Sequence, residues 1–243
     1  GGPTEAEGNV FAGLFTDTTD ESPVIDVSQS GQGTIIQNNL IGLDAQADVV
    51  GVCGRGLDFG SGPQAMQVIS NTVVETGLSA IFMNSSSLNG NLLRGNVITR
   101  TTPWPGPQGF NDFSEDAVTY GPKVPDELRT FQPAQVTEID NTTVHGTSGS
   151  GSPCGGCIVE LFLDDNDGIT ETLQSLALVT ANSQGDWTAS LPAPLEAGQG
   201  VHTMSTVPDT FTIIGLDPET TSKLSKLYVG EHQVFLPLTL RSQ

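Results

Sequence analysis

Asn9-Val10-Phe11, Asn39-Leu40-Ile41, Asn71-Thr72-Val73 and Asn96-Val97-Ile98 repeat one short phrase, an asparagine followed two residues later by an aliphatic or aromatic side chain. The asparagines stand 30, 32 and 25 residues apart. Self-similarity at a period of 20 to 50 residues is the mark of a solenoid. Between the phrases lie short apolar runs, among them Thr34-Ile35-Ile36, Ala80-Ile81-Phe82-Met83 and Leu88 to Leu93, broken by Gly, Asn, Ser and Asp. Such runs read as strands of three to six residues joined by tight turns. In a coil of short parallel strands, an Asn at a recurring turn tolerates the left-handed conformation, and its amide reaches the coils above and below. Asn39, Asn71 and Asn96 are therefore expected to form a structural ladder, with the aliphatics stacked inward.

Composition agrees with an all-β chain. Its 243 residues contain 29 Gly and 15 Pro and lack the Ala, Glu and Lys runs from which surface helices are made. Apolar residues make up 36%, which suits two modest domains better than one large one. A formal charge of −20 repels phosphate backbones and anionic lipid heads, so neither nucleic acid nor a membrane surface is an expected partner. The sequence has no run of 18 apolar residues, so membrane insertion is not expected either. Because the chain enters its repeat almost at once and without an initiator Met, it reads as a processed product or a segment of something longer.

The units Asn39-Leu40-Ile41-Gly42-Leu43-Asp44, Gly77-Leu78-Ser79-Ala80-Ile81 and Gly95-Asn96-Val97-Ile98 resemble the pectate-lyase-like parallel β-helix repeats of secreted bacterial surface proteins. The resemblance implies a short right-handed parallel β-helix over residues 1–101. It says little of activity, since the same solenoid serves enzymes, adhesins and spacers. The pectin-hydrolysing members carry Asn-x-Asp, Asp-Asp, Gly-His-Gly and Arg-x-Lys, and none of these occurs before Pro133. A lyase needs an Arg or Lys base beside an acidic calcium cluster. Here Arg55, Arg94 and Arg100 fall at positions in the repeat unrelated to Asp44, Asp48 and Asp58. The expectation is a chain that is not an enzyme.

Residues 102–133 hold six prolines and read as a connector, in which Trp104 reads first as a hydrophobic lid on the last coil and second as a ring that stacks a sugar. Beyond them the pattern becomes seven short strands at sandwich spacing: Gln135 to Ile139, Thr142 to Gly146, Cys157 to Leu163, Leu176 to Ala181, Trp187 to Leu191, Val201 to Val207 and Ser222 to Val229. Ile158-Val159-Glu160-Leu161-Phe162, Ala181-Asn182-Ser183-Gln184-Gly185-Asp186-Trp187 and Thr221-Ser222-Lys223-Leu224-Ser225 resemble bacterial Ig-like repeats. That implies an Ig-like β-sandwich over residues 134–229, a spacer or assembly module.

Three local features invite chemistry. Asp164, Asp165 and Asp167 crowd oxygens as a calcium loop does, but the Glu that an EF-hand requires six residues after Gly168 is replaced by Gln174, so calcium is a weak candidate and no other cofactor is expected. Cys154 and Cys157 open a strand, with neither the helix N-terminus of a redox pair nor the second ligand pair of a zinc site, and so read as a structural disulfide, with Cys53 buried and unpaired. Residues 230–243 form an extra strand in which Val234, Leu236, Leu238 and Leu240 share one face and Phe235 lies opposite. It either folds back on its own sandwich or couples subunits by strand addition, and a similar Phe-Leu-Pro-Leu ending on exported proteins of filamentous bacteria adds an export or anchoring tag. Taken together the sequence predicts a structural, extracellular or cell-surface protein. Copies of itself are the expected partners, in a polymeric fibre or adhesin. A carbohydrate-binding or carbohydrate-active fragment of a larger secreted enzyme, with cell-surface polysaccharide as partner, is the alternative.

Overall fold

In this computed structural model, residues 2–4, 7–12, 22–28, 33–52, 54–61, 65–99, 116–148, 154–209 and 215–230 are described. Their secondary structure is almost entirely β, in parallel and antiparallel sheets, with one short helix, α1 (Asp126–Thr130). No helix among the described residues is long and apolar enough to cross a membrane. Cys53, Arg100, Trp104 and the segment Val234, Phe235, Leu236, Leu238 and Leu240 lie outside the described residues.

Eleven strands make up the first part. They are β1 (Val10–Phe11), β2 (Ile25–Ser28), β3 (Ile35–Gln37), β4 (Leu40–Ile41), β5 (Leu57–Ser61), β6 (Gln67–Ile69), β7 (Thr72–Val74), β8 (Ile81–Met83), β9 (Leu92–Arg94), β10 (Val97–Thr99) and β11 (Val118–Tyr120). The chain visits three sheets in strict rotation, β1-β4-β7-β10, β2-β5-β8-β11 and β3-β6-β9, and every pairing is parallel. Register stacks like on like. The apolar residues of the repeated phrase lie directly opposite one another as Phe11, Ile41, Val73 and Ile98. Leu57, Ile81 and Val118 stack in the second sheet, and Ile36, Val68 and Leu93 in the third. Apart from the half-buried Phe11, all of these are buried, so the interior is a set of aliphatic columns.

The asparagines form the expected continuous chain of amides, one step away from the expected backbone. Asn9 donates its backbone N–H and Nδ2 to Asn39 Oδ1 at 3.2 and 3.0 Å. Asn39 does the same to Asn71 Oδ1 at 3.0 and 2.8 Å, and Asn71 to Asn96 Oδ1 at 3.1 and 3.0 Å. The left-handed residue at each turn is the one before the ladder: Asn38 (φ 55°), Ser70 (52°) and Gly95 (63°). The reversal is made there, which leaves the following Asn free to satisfy the next coil.

The parallel array does not stop at residue 101. β11 pairs with β8 from within the stretch read as a connector, and α1 follows with Leu128 buried. The acidic start of α1 (Asp126, Glu127) and the basic end (Arg129) match the helix dipole.

The second part is antiparallel. β12 (Gln135–Asp140), β13 (Thr143–Thr147) and β16 (Asp186–Ser190) form one sheet; β15 (Gln174–Thr180), β14 (Ile158–Asp164), β17 (Gly200–Thr206) and β18 (Tyr228–Val229) form another, in that order. Val144, Trp187 and Ala189 of the first pack against Val159, Leu161 and Val201 of the second. The seventh expected strand is reduced to two residues. Over Ser222 to Leu227 the chain instead lies along β17, holding it partly through serine side chains.

β14 and β17 join the two parts because strand side chains alternate between faces. On one face Val159, Leu161 and Val201 fill the space between the antiparallel sheets. On the other, Phe162 and Met204 belong to the same core as Leu93, Ile98 and Val118 of the last coil. The lid on that coil is therefore supplied by the second half of the chain. Its edges are also bonded: Ile98 and Thr172 exchange backbone hydrogen bonds at 3.1 and 2.9 Å, Thr221 N donates to Asn91 O at 3.1 Å, and Leu93 N donates to Thr221 Oγ1 at 3.1 Å. Tyr120 OH donates to Thr221 O at 2.6 Å, and its burial holds the phenol protonated well above the ordinary range.

Candidate functional site: a groove beside a buried aspartate–histidine pair

A concavity of about 710 Å³ runs between the β14–β15 loop, the start of β12 and the stretch from Lys223 to Tyr228. Asp164 and His202 lie at its floor, from neighbouring strands and both buried. Asp164 Oδ1 accepts from Asn166 N at 2.7 Å; Oδ2 accepts from Glu171 N and from His202 Nε2, each at 3.1 Å. The opposite ring nitrogen, Nδ1, donates to Ser225 O at 2.8 Å. Burial pushes the Asp164 carboxyl up, but the His202 contact and the two backbone donors outweigh it and hold the group below the usual carboxylate range. The His202 ring is thereby held between the Asp164 carboxylate and the Ser225 carbonyl, and Ser225 Oγ is engaged with Thr203 N and Lys226 O, so both ring nitrogens and the hydroxyl are tied into the fold.

The calcium candidates divide. Asp164 is consumed by these bonds. Asp165 and Asp167, both exposed, come together instead with buried Glu171, their oxygens within 4.8 Å of one another, the one such acidic group among the described residues. Glu171 was not legible in sequence because it follows Gly168 by three residues and reaches the cluster through the hairpin's curl. Asp165 Oδ1 accepts from Asp167 N and Asp167 Oδ1 from Ile169 N, the bonding of a self-contained polar loop.

A second buried carboxylate, Glu160, sits where the halves meet. It accepts from Gly95 N at 3.0 and 3.2 Å and from Ser175 Oγ at 2.8 Å, with Arg94 Nε 4.0 Å away. Burial raises its pKa against these stabilising contacts. Cys154 and Cys157 are joined by a disulfide and both are buried against the shared core. In the first part the structure brings together one cation and acid that the sequence set at unrelated positions, Arg55 and Asp58. Arg55 pairs with Asp58 at 3.5 Å and lies 3.9 Å from the centre of the Phe82 ring, Arg94 points to Glu160, and Asp44 Oδ1 binds the backbone of its own turn at Gln46 and Asp48.

No known protein family matches the chain, and no curated protein does.

Proposed function

We propose that this is a structural protein of the cell exterior, a right-handed parallel β-helix closed by an Ig-like β-sandwich, which associates with copies of itself. The observation that carries this reading is the asymmetry of the parallel stack. Its last coil is covered and hydrogen-bonded by the second half, whereas β1, β2 and β3 have no strand on their outer edge among the described residues. Unpaired parallel edges over an apolar cross-section favour association. With the last coil occupied, contact through coil ends is restricted to the first.

The alternation of Val234, Leu236, Leu238 and Leu240 in the sequence supports a second coupling device, donation of residues 234–240 as a strand to a neighbour. Light scattering and negative-stain imaging of the full chain and of a chain ending at Gly230 test the reading. Assemblies from the full chain and a folded monomer from the shortened one are expected. A monodisperse full-length monomer at high concentration overturns it.

A further inference from the structure

We propose that the groove of the antiparallel half binds an acidic saccharide, a chain of sugars bearing carboxylates, with Lys223 and Lys226 as its cationic contacts. This goes beyond self-association and holds whether or not copies assemble.

Six residues, Ser222-Lys223-Leu224-Ser225-Lys226-Leu227, write one tripeptide twice. In the fold each residue type has its own direction. The serines face β17: Ser222 N donates to Ser205 O at 2.8 Å and Ser205 N to Ser222 Oγ at 2.9 Å, and Ser225 N donates to Thr203 O and Thr203 N to Ser225 Oγ, each at 2.9 Å. Leu224 enters the shared core, and Leu227 packs on Gly200 so closely that a Cβ there would lie 2.7 Å from its methyl. The lysines are what remains, exposed and on one face of the strap, both lining the groove. Ser225 O is fixed from below by His202. The strap is thus rigid before any ligand arrives, which lowers the ordering cost of binding.

Charge supplies the second step. The chain has 8 Lys and Arg against 28 Asp and Glu, and a lysine in such a chain finds an acid at little cost. Among the described residues Lys123, Lys223 and Lys226 are in no ion pair, and of these Lys223 and Lys226 line the groove, while Arg55, Arg94 and Arg129 each have an acidic neighbour. Two unpaired ammonium groups, one tripeptide apart on a pinned strap, form a local site for anionic groups.

The rest of the lining identifies the kind of anion. Exposed Gln135 and Asn166 offer amides, Tyr228 a half-buried ring, and Asp116, which accepts from Thr170 Oγ1 at 3.1 Å, a carboxylate that takes donors and repels acids. A ligand made only of carboxylates meets Asp116 unfavourably. One that alternates carboxylates with hydroxyl donors satisfies both walls, and a uronic-acid chain has that composition.

Calorimetric titration of the full chain with an alginate hexasaccharide, cellohexaose and hexaglutamate tests this. The alginate oligomer is expected to bind, more weakly as salt rises because both lysines are exposed, with cellohexaose and hexaglutamate at least about tenfold weaker. K223Q/K226Q, checked for an unchanged melting temperature, is expected to lose about tenfold, the loss of two exposed ion pairs, and K223R/K226R to retain binding. Absence of alginate binding by the folded chain, equal binding of cellohexaose or hexaglutamate, or undiminished binding by K223Q/K226Q each overturns the proposal.

Discussion

The two ends of the parallel stack are built from the same repeat and end in opposite circumstances. At the last coil Leu93 and Ile98 are buried beneath Phe162 and Met204, and the strand edges are bonded by Thr172, Thr221 and Glu160. At the first coil the inward Phe11 is only half-buried, its outward neighbours Val10 and Ile35 are exposed, and the ladder ends in an exposed Asn9, although Ile36 is buried. A repeat cannot bury its own terminal cross-section. Among the described residues, what distinguishes the two ends is the second half of the chain, which covers the last coil.

The largest effect should come from removing the lid. Phe162→Ala opens a cavity where the shared core joins the two halves and is expected to destabilise by about 3–5 kcal/mol, while Phe11→Ala, at the half-buried start of the inward column, is expected to cost about 1–2 kcal/mol. Urea unfolding of both variants measures the contrast. Equal effects would mean that the first coil is covered as well as the last.

Next is the ladder. Asn71→Ala leaves the buried donors of Asn39 without an acceptor and is expected to cost about 2–3 kcal/mol. Asn9→Ala removes bonds that water replaces and should cost under about 1 kcal/mol. Hydrogen exchange at the Asn39 amide gives an independent reading: it should accelerate strongly in the first variant and little in the second.

The smallest effects are in acid, where two buried carboxylates of the second half, Asp164 and Glu160, have opposite signs. Asp164 has a lowered pKa when folded, so its contribution is complete above its ordinary value of 3.8 and is lost as pH falls through the lowered one. Glu160 has a raised pKa when folded, so folding binds a proton there and stability declines as pH rises from the ordinary 4.5 through the raised value, then levels. Unfolding free energy measured against pH should therefore lose its acid-side slope in D164N and its decline above 4.5 in E160Q. Slopes unaltered by either substitution would remove these carboxylates as the cause.

Much of this fold was legible because it depends on short-range periodicity. The phrase Asn-x-aliphatic carried both the stacking of Asn39, Asn71 and Asn96 and the column Phe11, Ile41, Val73 and Ile98, since equal spacing in sequence places equal residues in equal turns. Six of the seven strands of the second half appear within about two residues of their alternating patterns, for the same reason. β11 was not legible, because Val118-Thr119-Tyr120 lies after a proline-rich stretch and is too short to show a period.

The sequence by itself determined the β class, the three-residue strands, the ladder and the Cys154–Cys157 neighbourhood, all of which follow from local geometry and residue type. Tertiary structure alone decided that sheet β15-β14-β17-β18 has two buried faces, so that Glu160 and Phe162 turn toward the first half while Val159 and Leu161 turn away. It decided likewise that Asp164 belongs to His202 and Glu171 to the acidic loop. Alternation tells which residues share a face of a strand. What lies opposite that face depends on residues tens of positions away in the chain, and no local pattern encodes it.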